Sequence, residues 1–260
     1  MAFKIATFNC NSVRSRLPII LNWLKEHAPD VLALQETKVV DELFPASEFE
    51  AAGYHAVFRG EKSYNGVALI CRESPKKVSF GLDDAGPADE PRLILAEVRR
   101  IPIVNTYVPQ GHEVDSPKWR YKLEWLTRLR DYFDRHFTGR KRLIWVGDLN
   151  MAPTPLDVYD SKKFMGKHVC HHPKITEAYE SFLDWGFVDV FRKHRPDPGE
   201  FAFFDYRLPK SLERGLGWRV DHVLATKPMA GKSSDAYIDL EPRKKEKPSD
   251  HTFMVAEFDL

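Results

Sequence analysis

Short apolar runs rich in β-branched residues recur along the chain, at 4–8, 31–34, 66–71, 93–98, 101–107, 143–146, 220–226 and 253–258. Their length, and the Gly, Pro, Asp and Asn residues that bound them, predict buried strands rather than helices. Three stretches follow a helical period instead. Leu17, Ile20, Leu21 and Leu24 form one apolar stripe, in which Pro18 is tolerable only in the first turn. Trp119, Leu123, Leu126, Leu129, Phe133 and Phe137 form a longer one, with Arg120, Lys122, Arg128 and Arg130 largely off it. The third predicted helix covers 176–185, with Gly186 as its C-cap. Many strands and few, widely spaced helices suggest two packed sheets flanked by helices, not a regular βαβ alternation. No repeat interrupts the chain, and the polar, Pro-containing loops 83–91 and 239–249 do not read as linkers. A single domain over 1–260 is expected.

Composition narrows the class without naming a reaction. A 43 % hydrophobic fraction and 17 phenylalanines exclude a disordered chain. With 39 basic against 38 acidic residues, bulk charge says nothing of nucleic acid; a DNA binder of this composition would have to sort its cations onto one face. Cys10, Cys71 and Cys170 are odd in number and far apart, which argues against a disulfide framework or a four-cysteine zinc site. The first residues run straight into a strand pattern, and no apolar stretch is long enough to span a bilayer. These features point to a soluble protein of a reducing compartment, the cytoplasm, with no membrane partner.

The chemistry-bearing residues lie beside the strands, where a rigid scaffold can aim them into a cleft. Asn9 and Asn11 follow the first run, Glu36 the second, and Asp148 and Asn150 the run 143–146. Asp221 opens the run 220–226, and Asp250-His251 precede the last. Any one of these, taken alone, is more usually a solvated loop residue or cap; five together at strand ends are harder to dismiss, although spacing alone identifies no reaction.

Phe8-Asn9-Cys10-Asn11, Leu34-Gln35-Glu36-Thr37-Lys38, Tyr107-Val108-Pro109-Gln110-Gly111, Gly147-Asp148-Leu149-Asn150, Gly217-Trp218-Arg219-Val220-Asp221 and Pro248-Ser249-Asp250-His251 resemble, in order, the successive motifs of the exonuclease III family of abasic endonucleases. The resemblance spans nearly the whole chain. It implies a four-layer α/β sandwich: two mixed β-sheets packed face to face with helices outside. It also implies a DNA-repair phosphodiesterase that cuts 5′ to abasic sites or clears blocked 3′ ends, by direct attack of water. Glu36 resembles the principal metal-binding carboxylate, supported by Asn9 and Asp250; such oxygen donors suit Mg²⁺, with Mn²⁺ as substitute, better than zinc. Lys38 is a candidate partner for Glu36, with an exposed lysine as the alternative. Asp148 resembles the residue that orients or deprotonates the water, and Asn150 a donor to the phosphoryl oxygen. His251, held by Asp221, resembles a phosphate clamp; whether it or Asp148 is the base stays open, with Asp148 preferred. Tyr107 is placed at the scissile phosphate or the leaving oxygen. Asp148, Asn150 and His251 are also candidate ligands of a second ion. The expected partner is double-stranded DNA with abasic sites, nicks or blocked 3′ ends, met by a monomer.

For substrate reading, the resemblance points to Gln110 on a neighbouring phosphate and to Phe203 and Trp218 around a flipped-out abasic sugar, with Phe201 and Phe204 left to the core. Arg14, Arg16, Lys76, Lys77, Lys118 and the run 243–247 are candidate backbone contacts, each also readable as solvated charge. The chain departs from the family at His168-Val169-Cys170-His171-His172-Pro173. Ligands this close in sequence cannot easily wrap one tetrahedral zinc. The segment is either a polar surface loop or a border of the substrate cleft whose imidazoles favour 3′-end processing over internal incision. Other readings are a different metal-dependent phosphodiesterase on the same scaffold, such as a phosphoinositide phosphatase or non-specific endonuclease, and a silent DNA-end-binding module.

Overall fold

Alternation along each strand sorts side chains into two apolar layers, and that sorting builds the fold. In β1 (Ala2–Asn9), Phe3 and Ile5 face one cluster while Ala6 and Phe8 face another. A computed structural model of the protein describes residues 2–86 and 90–260, so part of the 83–91 loop lies outside the described residues. The first sheet runs β11-β12-β1-β2-β4-β3 and the second β5-β6-β7-β8-β10-β9. Their strands are β2 (Val31–Gln35), β3 (His55–Arg59), β4 (Val67–Cys71), β5 (Lys76–Phe80), β6 (Leu93–Val98), β7 (Ile101–Tyr107), β8 (Ile144–Asp148), β9 (Phe187–Asp189), β10 (Asp221–Thr226), β11 (Ser233–Asp239) and β12 (Phe253–Asp259). The helices are α1 (Val13–His27), α2 (Ala46–Ala51), α3 (Pro117–His136), α4 (Ser161–Phe164), α5 (Pro173–Trp185), α6 (Val190–His194) and α7 (Lys227–Ala230).

Each sheet holds one parallel pair, β1 with β2 and β7 with β8, and all other pairs are antiparallel. A parallel pair needs a crossover, and α1 and α3 supply the two. Ile5, Val31, Leu69, Ile103, Val146 and Met254 fill the space between the sheets. Outside the first sheet, Val13, Ile20 and Leu24 of α1 pack with Phe8 and Leu34. Outside the second, Leu129 and Phe133 of α3 and Phe182 of α5 pack with Trp145. The result is the four-layer α/β sandwich. Among the described residues no helix is long and apolar enough to cross a membrane.

Three sequence expectations are corrected. Helix α1 begins at Val13, so Pro18 sits inside it rather than in its first turn; the proline is exposed, and only the hydrogen bond its missing N–H would have made is lost. Helix α5 starts at Pro173, three residues early, because His172 caps it by accepting from the Lys174 N–H. Lys122 lies on the buried face of α3, fully enclosed, and not with the solvent-facing cations.

Candidate active site

The inward-facing positions of the strands turn from apolar to polar at one end of the sandwich. Along β8 the series is Ile144, Val146, Asp148; along β1 it ends in Thr7 and Asn9, along β2 in Gln35, along β7 in Asn105 and Tyr107. Just below the rim, Gln35 donates to Asn105 Oδ1 (2.7 Å), and Asn105 Nδ2 donates to the carbonyls of Leu34 (3.0 Å) and Ala68 (2.9 Å). This buried amide bridge ties the two sheets beneath the site.

At the rim a neutral amide bridges carboxylates of the two sheets. Asn9, fully buried, donates through Nδ2 to Glu36 Oε1 (2.8 Å) on its own sheet and Asp148 Oδ2 (2.9 Å) on the other. Its Oδ1 accepts from the Asn11 N–H (3.0 Å), so Asn9 orders the carboxylates with its nitrogen. Lys38 Nζ lies 2.7 Å from Glu36 Oε2 and donates to Asn11 Oδ1 (2.6 Å), while Asn11 Nδ2 donates to Asp250 Oδ1 (3.1 Å). Burial pushes the Glu36 carboxyl up, but Lys38 and the Asn9 hydrogen bond outweigh it and hold the group below its ordinary range.

Asp148 and Asp221 are directly paired across β8 and β10. On the other side of β8, Gly147 has φ +144°, and a Cβ there would stand 1.9 Å from the Thr106 carbonyl oxygen, so glycine is what lets β8 lie against β7 just before Asp148. Asp221 Oδ2 accepts from His251 Nδ1 at 2.9 Å, and His251 Nε2 lies 3.8 Å from Asp148 Oδ2. Burial alone would lower the His251 pKa; Asp221 and Asp148 reverse that and raise it well above the usual histidine range. Asp148 is pushed up by burial and by Asp221 and Glu36, with His251 and Asn9 opposing. Asn150, at φ +49°, donates from its backbone N–H to Asp148 Oδ1 (2.9 Å) and from Nδ2 to the Val108 carbonyl (3.0 Å). The Tyr107 hydroxyl is raised well above its ordinary value by burial and by the charges of Glu36 and Asp148, so it stays a neutral donor.

These groups open into a cleft of about 630 Å³. Glu36, Tyr107, Asp148, Asn150, Asp250 and His251 form its polar floor, while Asn9 and Asp221 stand behind. Gln110 reaches the edge, exposed, with Oε1 accepting from the His112 N–H. One wall is aromatic. Phe203 lies 4.8 Å from the His251 ring, and Trp218 packs against His168 (4.4 Å) and Phe164 (4.9 Å). Phe201 and Phe204 are buried.

The 168–172 segment is neither plain surface nor a zinc site. His171 is fully buried, bonded to Ser161 Oγ and the Ala152 carbonyl, and His172 is the α5 cap. Of the three histidines only His168 faces the cleft, which Cys170 also lines; burial lowers the His168 pKa to about 4, so it is a neutral ring. Several proposed DNA-backbone cations are committed elsewhere. Arg16 and Arg243 brace the chain around Asp250, bonding the Pro248 and Ser249 carbonyls, and Lys77 pairs with Glu97. Arg14, Lys76 and Lys118 are exposed. Lys163, not singled out from sequence, lines the cleft instead.

Sequence reading also missed the support behind the site. Arg219, fully buried, bonds Asp157 (2.7 Å) and lies 2.8 Å from Asp189. His222 next to it bonds the Met151 carbonyl (2.7 Å). Charged residues inside an apolar run are the only sequence signal for such a network.

A hard divalent cation fits this donor set. Four carboxylates (Glu36, Asp148, Asp221, Asp250) converge, Asp148 is raised by burial and then by its acidic neighbours, and Asp221 Oδ1 is buried without a hydrogen-bond partner among the described residues. Ligand atoms of Asp148, Asp221 and His251 lie within 4.8 Å of one another. Oxygen donors of this kind suit Mg²⁺ or Mn²⁺.

Comparison with known proteins agrees with the geometry. The model of the Endonuclease/Exonuclease/phosphatase family matches residues 6–251. Exodeoxyribonuclease III of Haemophilus influenzae is 32 % identical over 98 % of this chain and 99 % of its own. An AP endonuclease structure from Archaeoglobus fulgidus superposes with a TM-score of 0.96 at 51 % identity, covering 99 % of this chain and 100 % of that one. A 3′ phosphatase from Neisseria, bound to a product DNA hairpin, gives 0.93 at 38 % with the same coverage. The chain belongs to the endonuclease/exonuclease/phosphatase family, as a hydrolase of the exodeoxyribonuclease III type.

Proposed function

We propose that residues 1–260 act as one catalytic domain that hydrolyses the backbone of damaged double-stranded DNA, at abasic sites and blocked 3′ ends, with Mg²⁺ as cofactor. The observation that carries this is the convergence, on one rim, of Glu36, Asp148, Asn150 and the Asp221–His251 pair beside an aromatic wall. Relatives named as exodeoxyribonuclease, AP endonuclease and 3′ phosphatase support the substrate class. Three buried free cysteines suit a reducing compartment such as the cytoplasm, and we expect a monomer to suffice because every proposed site residue comes from one chain.

Glu36, ordered by Asn9, and Asp250, ordered by Asn11, would hold the ion, with Asp148, Asn150 and His251 within reach of a second. Bound there, it would polarise a phosphoryl oxygen and stabilise the departing 3′ oxygen. The protein's own groups do the rest. Asp148 takes the proton of the attacking water. The imidazolium of His251, kept charged by Asp221, clamps the phosphate. The Asn150 amide and the Tyr107 hydroxyl donate to oxygens that gain charge in the transition state. Gln110 and Lys163 lie where neighbouring phosphates would pass. Phe203 and Trp218 form a slot for a base-free sugar, whose exposure costs little unstacking.

His168 tunes the preference within this range. Its neutral ring covers Trp218 and narrows the path an internal nucleotide must take, whereas a 3′ end needs no such path. The test is kcat/KM on a duplex with one abasic site and on a 3′-phosphate nick, with Mg²⁺ and with chelator, for the wild type and His168→Gly. Cleavage is expected with metal only, and the glycine variant should raise the abasic-to-nick ratio. Cleavage of neither duplex would overturn the function; an unchanged ratio would leave it intact and remove His168 from specificity.

A further inference from the structure

Lys122 is a buried cation that the proposed reaction does not use. It projects from α3 with no exposed surface, and burial lowers its pKa. Among the described residues no carboxylate hydrogen-bonds it. Its Nζ donates instead to three backbone carbonyls: Asn150 (2.7 Å), Val169 (2.7 Å) and Gln110 (3.2 Å). An ammonium group has three N–H donors, and here each has one acceptor.

The source of those acceptors matters more than their number. Gln110 belongs to the turn after β7, Asn150 to the turn after β8, and Val169 to the segment that carries His168 into the cleft. All three segments supply groups that line the cleft, and one atom behind them holds all three. Asn150 is the most constrained. With its backbone in the left-handed region its carbonyl turns back to Lys122, its N–H to Asp148 and its amide to Val108. Gly111 keeps the space open for the lysine stem, since a Cβ there would stand 3.1 Å from Lys122 Cδ. A neutral side chain of the same length would fill the volume but leave the three carbonyls, those of Asn150 and Val169 in buried contacts, without this donor, and the turns free to shift.

We propose that Lys122 is a positioning residue for the hydrolytic reaction: its ammonium pins the Asn150, Gln110 and His168 segments in the arrangement the site requires. This rests on the function proposed above for the same cleft, so each experiment includes the wild type; an inactive wild type would count against that reading and not against this one.

Lys122→Met keeps the length and removes every donor. Single-turnover cleavage of a 3′-phosphate nick at saturating Mg²⁺ should slow by about 10²-fold, the scale of an ångström-sized misplacement. The Kd for the same duplex in Ca²⁺ should stay within about threefold, since the lysine touches no DNA. A merely structural role is separated by adding Lys122→Met to Asn150→Ala. If the lysine acts through Asn150, the second change should cost less than about threefold on that background, because coupled residues are not additive. Should Lys122→Met not give a native circular-dichroism spectrum, Lys122→Arg, which keeps the charge but cannot aim three donors from one nitrogen, should show the same coupling with a loss of about 10-fold. A folded variant cutting at wild-type rate, or losses that multiply fully with Asn150→Ala, would overturn the proposal.

Discussion

The two sheets bring unequal halves to one site. From the first come Glu36, in a turn where Glu36 and Lys38 both adopt positive φ, and Asp250, held by Asn11, which also has positive φ. Each carboxylate there is engaged by an N–H donor or an ammonium, and Glu36 is held ionised below its usual range. From the second come Asp148 and Asp221, fully buried side by side, with Asp148 driven upward and His251 as the nearest cation. The same chemical group thus acquires two characters. One is a standing negative charge suited to hold a metal; the other is a carboxylate able to exchange a proton near neutral pH. Environments that push like groups apart are how one site divides acid–base work from charge work.

Changes in the second half should be the most damaging. Asp148→Asn keeps the shape and removes the base, so kcat should fall by about 10²- to 10⁴-fold. DNA affinity should hold or tighten, because one carboxylate beside phosphate has gone. Steady-state kinetics with a parallel binding isotherm checks both, and a near wild-type rate would move the proton acceptor to another residue.

Asp221→Asn acts through His251, and a loss of about 10-fold in kcat is expected for a group one contact from the chemistry. Its signature is the pH profile. Asp221 raises the His251 pKa, so removing that charge lowers it, and the imidazolium is lost at a lower pH. The alkaline limb of kcat should therefore move towards neutral. A limb that stays in place would mean the charge on His251 is not required.

The smallest effect on rate belongs to the first half. Lys38→Met leaves Glu36 without its cation, so kcat at saturating Mg²⁺ should stay within about threefold while half-saturating Mg²⁺ rises by about 10-fold. A fall in kcat matching that of Asp148→Asn would erase the distinction between the halves.

How much of this was legible depends on where a residue sits in a strand. The eight central strands announce themselves as apolar runs because both their faces are covered. The four that carry no such run, β3, β5, β9 and β11, are the edges of the two sheets. Edge strands are short and polar to resist pairing with other chains, as the exposed Lys76-Lys77-Val78-Ser79 of β5 shows. The rim residues were readable because polar side chains end inward-facing apolar series. Gln35 and Asn105 obey the same rule, yet joining them requires knowing which strands face each other across the core. Lys122 defeated the helical pattern for a related reason. A stripe analysis assigns lysine to solvent, and only the fold reveals three carbonyls behind it. The 168–172 histidines look alike in sequence, but burial gives one to the core, one to a helix cap and one to the cleft.

The contrast between the halves can be read directly from ¹³C-carboxyl NMR titration of the metal-free protein, with Asp148→Asn and Glu36→Gln used to assign the signals. A carboxylate titrating well above the ordinary range of about 4 should vanish in Asp148→Asn and persist in Glu36→Gln, and in the wild type the signal that Glu36→Gln removes should stay ionised below that range. If instead Asp148 titrates in the ordinary range, or the elevated signal is lost with Glu36, the division of labour between the two sheets is wrong.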